Sequence, residues 1–286
     1  MRNAIALQKS LTGKDINCKL IDLDTEIDVT EQWDIILFSY ATMRANFDHI
    51  EQLINNQKDV KIGWLTNEFE LFANGFVKEH MTFMITNFEE HGIKKAHRHD
   101  ELLVTNLNTL LAKPRNPYVP KKYDTCYYGT YRKYREDYFR KYFIDDMILS
   151  TSKKNWKTFI DIEASCKVTD KLAWDDGRET LNLFKSSLYI EDTKTHDCFN
   201  HLANRFFEGL YCNTPLFFDR TCQNTIDKDQ YQIDDYFMID SYEELMDKTN
   251  NLDTEKVNEF LYLNTTLAIM ERHKTIEDIK QFLLEI

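Results

Sequence analysis

Short apolar runs and helically spaced apolar positions alternate along the first part of the chain. The apolar runs predict strands at 18–23, 33–38, 60–65 and 81–86. Apolar residues three and four positions apart predict helices at 4–11, 43–54 and 70–79. Strands that alternate with helices predict a parallel α/β sheet with helices on both of its faces.

A proline-rich segment interrupts this alternation, which then restarts. Three of the four prolines of the chain, Pro114, Pro117 and Pro120, lie close together and predict a stiff linker. After the linker, strands are predicted at 124–128, 147–150, 187–190, 216–218 and 236–239. Helices are predicted at 132–143, 155–162, 178–185, 200–212, 242–250, 254–270 and 275–285. The second half of the chain therefore has the same α/β organisation as the first.

The helix predicted at 200–212 carries two charged residues on one face. Arg205 and Glu208 are three positions apart, so they fall on the same side of a helix. The arginine could donate a fork of hydrogen bonds to a phosphate, and the glutamate could accept from ribose hydroxyls. A surface ion pair is the alternative interpretation. The helix is expected to end at Asn213-Thr-Pro215, because proline cannot continue it.

A glycine turn between a strand and a helix is a second candidate site. Gly129 and Thr130 follow the strand at 124–128, and backbone N–H groups at the start of the next helix can bind a phosphate. Arg132 and Arg135 are predicted in the first turn of that helix, where cations oppose the helix dipole unless an anion is bound. An exposed basic helix is the alternative.

Asn67 and Glu68 follow the strand at 60–65. Ligands in open α/β sheets bind beyond the carboxyl ends of strands, so a carboxylate here could act as a general base. The alternative is an ordinary helix start, with Asn67 as the N-cap and Glu68 favouring the helix dipole.

Composition limits the class of protein. The 286 residues, 42% of them hydrophobic, suffice for two domains. The mean hydropathy is −0.54, and no apolar run approaches the roughly 20 residues of a membrane helix. The chain opens without a signal-peptide cleavage pattern. The six cysteines lack CxxC spacing and the eight histidines lack an HxxxH pattern, so free thiols in a cytosolic protein and no metal site are expected.

Charge is unevenly distributed along the chain. The net charge of −12 argues against a nucleic-acid partner. Residues 92–160, however, contain 15 Lys and Arg against 7 Asp and Glu, a net +8 that leaves −20 for the rest. Such a basic band could bind a phosphate-bearing ligand, or it could form solvated helix faces.

Three stretches resemble the GT-B glycosyltransferases, and more narrowly the phage DNA β-glucosyltransferases. Asp124–Arg135 is similar to the family's strand, glycine turn and two-arginine phosphate site. Asn204–Glu208, with Thr214–Asp219 behind it, is similar to the family's Arg-x-x-Glu helix and following strand. Tyr236–Met246 resembles the strand and helix that come next. The resemblance covers about 60–286 of the chain.

The resemblance implies a site for a UDP-sugar donor. Arginines would contact the diphosphate, Glu208 would contact the ribose, and the backbone near Thr169–Leu172 would contact uracil. The positions expected to bind the donor are Gly129, Thr130, Arg132, Arg135, Lys171, Leu172, Arg205 and Glu208.

The chain departs from the family in two places. Asn67 stands where the family has its catalytic aspartate, with Glu68 next to it. Either Glu68 has taken over the role of the base, or the acceptor and donor chemistry differ. The family's first strand and its glycine-containing loop have no counterpart before Met1, so the first domain is expected to be incomplete or built differently.

The resemblance implies an architecture of two Rossmann-like domains that face a cleft. Residues 1–116 would form the acceptor-side domain and residues 117–270 the nucleotide-sugar domain. A C-terminal helix at 271–286 would return to the first domain.

The implied activity is transfer, with inversion, of glucose or a pentose such as arabinose. The acceptor would be 5-hydroxymethylcytosine in double-stranded phage DNA, and the modification would protect the DNA from restriction. The enzyme would act as a monomer in the cytoplasm of the host cell, away from membranes, with a divalent cation (Mg or Mn) as an auxiliary. Two alternatives stay open: a GT-B enzyme with a polysaccharide, lipid or protein acceptor, and a non-catalytic relative that binds nucleotide sugar or DNA.

Overall fold

The structure is a computed structural model. It describes residues 2–13, 16–19, 28, 30–39, 47–66, 80–87, 101–129, 131–160, 164–174, 179–191 and 201–286. The chain divides into two compact units, of which one is Met1–Leu111 with Glu271–Ile286 and the other is Ala112–Met270.

The first unit is built on a parallel sheet of four described strands. They are β1 (Ile35–Ser39), β2 (Lys61–Thr66), β3 (Phe83–Thr86) and β4 (Glu101–Val104), and they lie side by side in chain order. Helices α1 (Arg2–Leu11) and α2 (Phe47–Asn55) precede β1 and β2. The core includes Leu7 of α1, Leu65 of β2 and Phe83 of β3, together with Ile279 from the last helix of the chain.

The second unit contains a six-stranded parallel sheet. Its strands are β5 (Tyr123–Tyr128), β6 (Ile148–Ser150), β7 (Lys167–Thr169), β8 (Phe184–Tyr189), β9 (Leu216–Asp219) and β10 (Met238–Ile239). They lie in the order β10-β9-β8-β5-β6-β7. Its helices are α3 (Glu136–Tyr142), α4 (Lys153–Ile160), α5 (Asn204–Tyr211), α6 (Gln223–Ile226), α7 (Tyr242–Asn250) and the first part of α8 (Thr254–Glu285).

The strand order of this second sheet reverses between β5 and β8. The chain connections leave this position, the switch point of the sheet, in opposite directions. This opens a crevice at the carboxyl ends of the two strands. Ligands of doubly wound α/β sheets bind in this crevice. The predicted α/β class with two parallel sheets is confirmed. The strand order predicts a ligand site in the crevice between β5 and β8.

Several elements differ from the sequence prediction. The helix predicted at 178–185 is wrong: the described part is a 3₁₀ turn, Thr180–Leu183, that leads into β8, whose residues are almost all buried. Strands β4 and β7 were not predicted: they are only four and three residues long, and each lies at the edge of its sheet. The two predicted C-terminal helices are one helix, α8, since no glycine or proline separates them.

The N-terminal predictions are only partly within the described residues. Cys18 and Lys19 are not in a strand, and residues 20–23 lie outside the described residues. The predicted helix at 70–79 lies outside them as well. Strands β1, β2 and β3 fall within two residues of the predicted positions.

Helix α5 ends before the proline that was expected to stop it. Asn213 adopts a left-handed backbone with a φ of 49°. The N–H of Thr214 donates to the carbonyl of Gly209 at 2.9 Å, and the N–H of Asn213 donates to that of Leu210 at 3.2 Å. This is the Schellman arrangement, which satisfies the last carbonyl groups of a helix. The turn at Asn213 therefore terminates the helix, whose last residue is Tyr211, before the chain reaches Pro215.

Gly209 allows α5 to pack closely on the start of β9. A Cβ atom at this position would lie 2.4 Å from Cδ1 of Leu216 and 2.9 Å from the carbonyl oxygen of Thr214. We expect Gly209→Ala to lower the free energy of unfolding by about 1–3 kcal/mol, because the overpacking outweighs the better helix propensity of alanine. Urea denaturation followed by circular dichroism measures this effect. Gly13→Ala is the control, because the nearest atom among the described residues, the carbonyl oxygen of Leu11, lies 3.9 Å from its Cβ position. Equal midpoints for the two variants would contradict the prediction.

Four unpaired cysteines are buried among the described residues of the second unit: Cys126, Cys166, Cys212 and Cys222. Burial raises the pKa of the Cys166 thiol to about 11. Burial also raises the pKa of the other three thiols, by more. These thiols are core side chains, in agreement with the free thiols predicted from their spacing.

Candidate functional site

Two consecutive tyrosines at the end of β5 each hold a charged residue. Tyr127 is buried, and its hydroxyl accepts a hydrogen bond from Nη1 of Arg135 at 3.1 Å. The hydroxyl of Tyr128 donates to Oε2 of Glu208 at 2.7 Å. Because successive side chains of a strand point to opposite faces, the end of β5 supports both an arginine and a carboxylate.

Glu191 connects two arginines at the end of β8. Its carboxylate pairs with the guanidinium of Arg135 through Oε2 and with Nη1 of Arg205 through Oε1, the latter at 3.0 Å. Only 2% of Glu191 is exposed. No role was predicted for Glu191 from the sequence. An acidic residue directly after a buried strand was the available signal, but its importance depends on the pairing of β8 with β5.

Arg205 is fixed by the ends of both strands. Nη1 also donates to the carbonyl of Ile190 at 3.1 Å, and Nε donates to that of Tyr128 at 3.3 Å. The guanidinium lies 4.8 Å from the ring centroid of Tyr127, a cation–π contact. Burial opposes the charge, but Tyr127 and Glu191 raise the pKa of Arg205 overall. The guanidinium is therefore a permanently charged, rigid donor at the switch point.

Glu208 lies one helical turn beyond Arg205 on α5 and is 4% exposed. The side chain of Arg205 is 14% exposed. The alternative of a solvated surface pair is wrong, because both side chains are largely buried and each is held by groups of β5 or β8. Both residues lie in α5, where the sequence predicted them on one face, and both contact Tyr128.

Gly129 has no side chain, which leaves the space beside the guanidinium of Arg205 unoccupied by a Cβ atom. Its φ of +154° favours glycine, and a Cβ atom there would lie 3.6 Å from Nη2 of Arg205 and 3.5 Å from the ring of Tyr127. The hydroxyl of Thr151 donates to the carbonyl of Gly129 at 2.9 Å and fixes the turn. Thr130 lies outside the described residues.

The two arginines that follow this turn occupy different environments. Helix α3 begins at Glu136, so Arg132 and Arg135 lie before it, and its first turn carries Glu136 and Asp137. The predicted conflict between cations and the helix dipole is therefore wrong. Arg132 is exposed, has an extended backbone and directly precedes the 3₁₀ turn Lys133–Arg135. Arg135, the last residue of that turn, is only 5% exposed.

The segment predicted to contact uracil lies against Tyr128. Leu172 is buried in a cluster with Cys126 and Phe184, and Tyr128 and Trp174 pack on the same cluster. The ring centroids of Tyr128 and Trp174 are 5.7 Å apart. Lys171 is exposed. Asn67 and Glu68 lie outside the described residues, which in this region end with β2 at Thr66.

A cavity of about 750 Å³ lies at the opposite edge of the second sheet. It is lined by Lys121, which precedes β5, by Lys185 near the start of β8, and by Pro215, which precedes β9. Burial lowers the pKa of Lys121 to about 8, and its amine already donates to the carbonyl of Asn213 at 2.7 Å. We place the functional site at the carboxyl edge, because the charged groups converge there at the switch point.

In the part of the chain that the structure covers, no three His, Cys, Asp or Glu side chains are grouped as metal ligands. No helix in the same ranges is long and apolar enough to cross a membrane.

The parallel sheets and the strand reversal at β5 and β8 belong to doubly wound α/β units, and similarity to solved structures shows that the fold is GT-B. The chain is similar to the T4 phage β-glucosyltransferase in complex with UDP-glucose, with a TM-score of 0.71 and 16% identity over 98% of this chain and 91% of that one. It is equally similar to the T4 phage enzyme with UDP and Mn²⁺, with a TM-score of 0.71 and 15% identity over 97% of this chain and 93% of that one.

A third similar structure is an α-glucosyltransferase in complex with UDP-glucose and DNA that contains an abasic site. Its TM-score is 0.52, with 11% identity over 85% of this chain and 80% of that one. No protein-family profile and no curated protein sequence matches this chain. At these identities the comparisons establish the fold.

Proposed function

We propose that this protein transfers a sugar from a UDP-sugar to 5-hydroxymethylcytosine in DNA. The observation that carries the proposal is the position of Arg205 and Glu208, side by side at the switch point of a doubly wound sheet. A fixed guanidinium suits a diphosphate, and a buried carboxylate suits ribose hydroxyls. The UDP-glucose in the similar T4 phage structure supports this donor.

In the proposed reaction, the bond between the sugar and UDP breaks and leaves negative charge on the diphosphate. Arg205 and the exposed Arg132 would contact the phosphates, with backbone N–H groups near Gly129 and Thr130. Arg135 would act indirectly, by holding the Glu191 carboxylate that also pairs with Arg205. Electrostatic stabilisation of this kind is commonly the largest contribution to catalysis, and losing one such donor costs about 2.7–4 kcal/mol.

Other residues of the chain would bind the nucleoside or act on the acceptor. Glu208 would accept hydrogen bonds from the ribose, and the backbone at Lys171 and Leu172 would contact uracil. Glu68, next to Asn67, would remove the proton from the acceptor hydroxyl as the sugar is transferred with inversion. The sugar is glucose or a pentose such as arabinose.

A divalent cation would have an auxiliary role. The manganese complex of the T4 phage enzyme makes Mn²⁺ or Mg²⁺ a candidate. The described residues offer no group of three ligands for such an ion. No step of the proposed reaction uses one.

Exposed cations at the carboxyl edge of the second sheet support a DNA acceptor. Several cations of the basic band are already neutralised, since Arg135 pairs with Glu191 and Lys141 pairs with Asp219. Other cations of the band are exposed to solvent beyond the ends of β5 and β6: Arg132, Lys133, Lys153, Lys154 and Lys157. Such residues bind DNA phosphates in a salt-dependent manner.

The test is transfer of labelled sugar from a panel of UDP-sugars to hydroxymethylated and plain duplexes. Reaction on a base within a duplex requires the nucleotide to be flipped out. We therefore expect both duplexes to bind comparably in a mobility shift at low salt, and only the hydroxymethylated one to be modified.

A charge variant sharpens this test. Replacing Lys153, Lys154 and Lys157 with alanine removes three exposed cations of α4 and should reduce the salt dependence of DNA binding without changing UDP affinity. Absence of both DNA binding and transfer from every UDP-sugar would overturn the DNA acceptor. Transfer to a polysaccharide, lipid or protein would establish the other acceptor class, and UDP-sugar binding without any transfer would establish a non-catalytic relative.

A further inference from the structure

We propose that Tyr128 is a positioning residue, which fixes the carboxylate of Glu208 for the ribose hydroxyls of the donor. The inference rests on the proposed function, because it concerns the same nucleotide site. It assigns a role to a side chain that the sequence analysis treated only as part of a strand.

Tyr128 is itself held on three sides. Its backbone lies in β5 opposite Ser150 of β6. Its carbonyl accepts a hydrogen bond from Nε of Arg205 at 3.3 Å. Its ring packs against Trp174 at 5.7 Å, with an angle of 58° between the ring planes. The phenol hydroxyl therefore has a defined position before any ligand binds.

The hydroxyl determines the orientation of a buried carboxylate. It donates to Oε2 of Glu208 at 2.7 Å, and Glu208 is 4% exposed. A carboxylate has about four acceptor positions, so one bond from tyrosine leaves capacity for two ribose hydroxyls. Rigid support of this kind lets a binding group act without first becoming ordered. Burial and the adjacent Glu208 raise the pKa of Tyr128, so the phenol stays a donor at working pH.

The same tyrosine links the two ligand-binding groups of α5. Its carbonyl contacts Arg205, and its hydroxyl contacts Glu208. A diphosphate and a ribose are adjacent parts of one nucleotide, so a single residue that holds both side chains sets their spacing. A purely structural tyrosine would stabilise the buried carboxylate but would not distinguish between nucleotides that have and lack ribose hydroxyls.

The experiment compares UDP with 2′,3′-dideoxy-UDP by calorimetry, using the full chain and Tyr128→Phe. Phenylalanine keeps the ring contact with Trp174 and removes only the hydroxyl. We expect the variant to bind UDP about tenfold more weakly, the loss for one hydrogen bond to a charged group. Its affinity for the dideoxy nucleotide should change less than about twofold, because that sugar has no hydroxyl that could donate to Glu208. Tyr262→Phe, at a tyrosine that is 63% exposed, is the matched control and should leave both affinities unchanged.

Each outcome has a distinct meaning. An equal loss for both nucleotides, or no loss for either, would overturn the positioning role and leave the proposed function intact. Failure of the wild-type chain to bind UDP would overturn the proposed function and this inference together. If Tyr128→Phe unfolds, Glu208→Gln provides the second measurement, because it keeps the size of the side chain and removes its charge. That variant should also lose affinity selectively for UDP, and an equal loss for the dideoxy nucleotide would overturn the inference.

Discussion

Arg205→Ala is expected to reduce UDP affinity about 100-fold, roughly 2.7 kcal/mol. The substitution removes the guanidinium that β5 and β8 hold at the switch point, and with it the charge-assisted bonds proposed to the diphosphate. Arg205→Lys keeps the positive charge but not the planar fork, so it should lie between alanine and wild type. Isothermal titration calorimetry on folded protein measures the effect.

Arg220→Ala is the control for this prediction. Arg220 lies on the surface, where its guanidinium pairs with Asp235 and Asp240. Its removal should change UDP affinity less than about twofold, as expected for an exposed ion pair. Similar losses for the two variants would show that the effect is one of overall charge and that Arg205 does not contact the ligand.

Glu191→Ala is expected to lower the free energy of unfolding by about 3–5 kcal/mol, the range for removing one partner of a buried ion pair. Arg135 and Arg205 would be left without the carboxylate that lies between them, and both guanidinium groups are largely shielded from water. Urea denaturation measures the loss. Glu191→Gln keeps the hydrogen-bond acceptor and should be destabilised less.

Asp146→Ala provides the matched comparison. Asp146 forms an ion pair with Lys167 in which both side chains are mostly exposed, so its loss should leave the unfolding midpoint nearly unchanged. If Glu191→Ala were as stable as Asp146→Ala, the carboxylate would not hold the two arginines. We would then expect the arginines to be solvated in solution.

Features that depend only on residues close together in the sequence were predicted correctly. Strand β9 was found because Leu216, Phe217 and Phe218 form a continuous apolar run, and all three are buried. Arg205 and Glu208 were found because three-residue spacing fixes their relation on any helix. Local pattern was sufficient for both.

Features that depend on contacts between distant strands could not be predicted. Glu191 is important because β8 pairs with β5, which brings it to Arg135, 56 residues away in sequence. Tyr128 was assigned to a strand correctly, yet its partner Glu208 comes from a helix 80 residues later. The error at 178–185 has the same origin, because only tertiary packing made Phe184 the start of a buried strand.

The buried thiols of the second unit allow transient opening of its core to be measured by the rate of cysteine alkylation. An alkylating reagent attacks only a thiolate that solvent can reach, so Cys126, Cys212 and Cys222 react only while the surrounding core is transiently exposed. A ligand that binds the closed unit slows each of these reactions by the factor 1 + [L]/Kd. Mass spectrometry of the alkylated cysteines would therefore yield the affinity of any candidate nucleotide sugar, including one that the protein binds but never transfers.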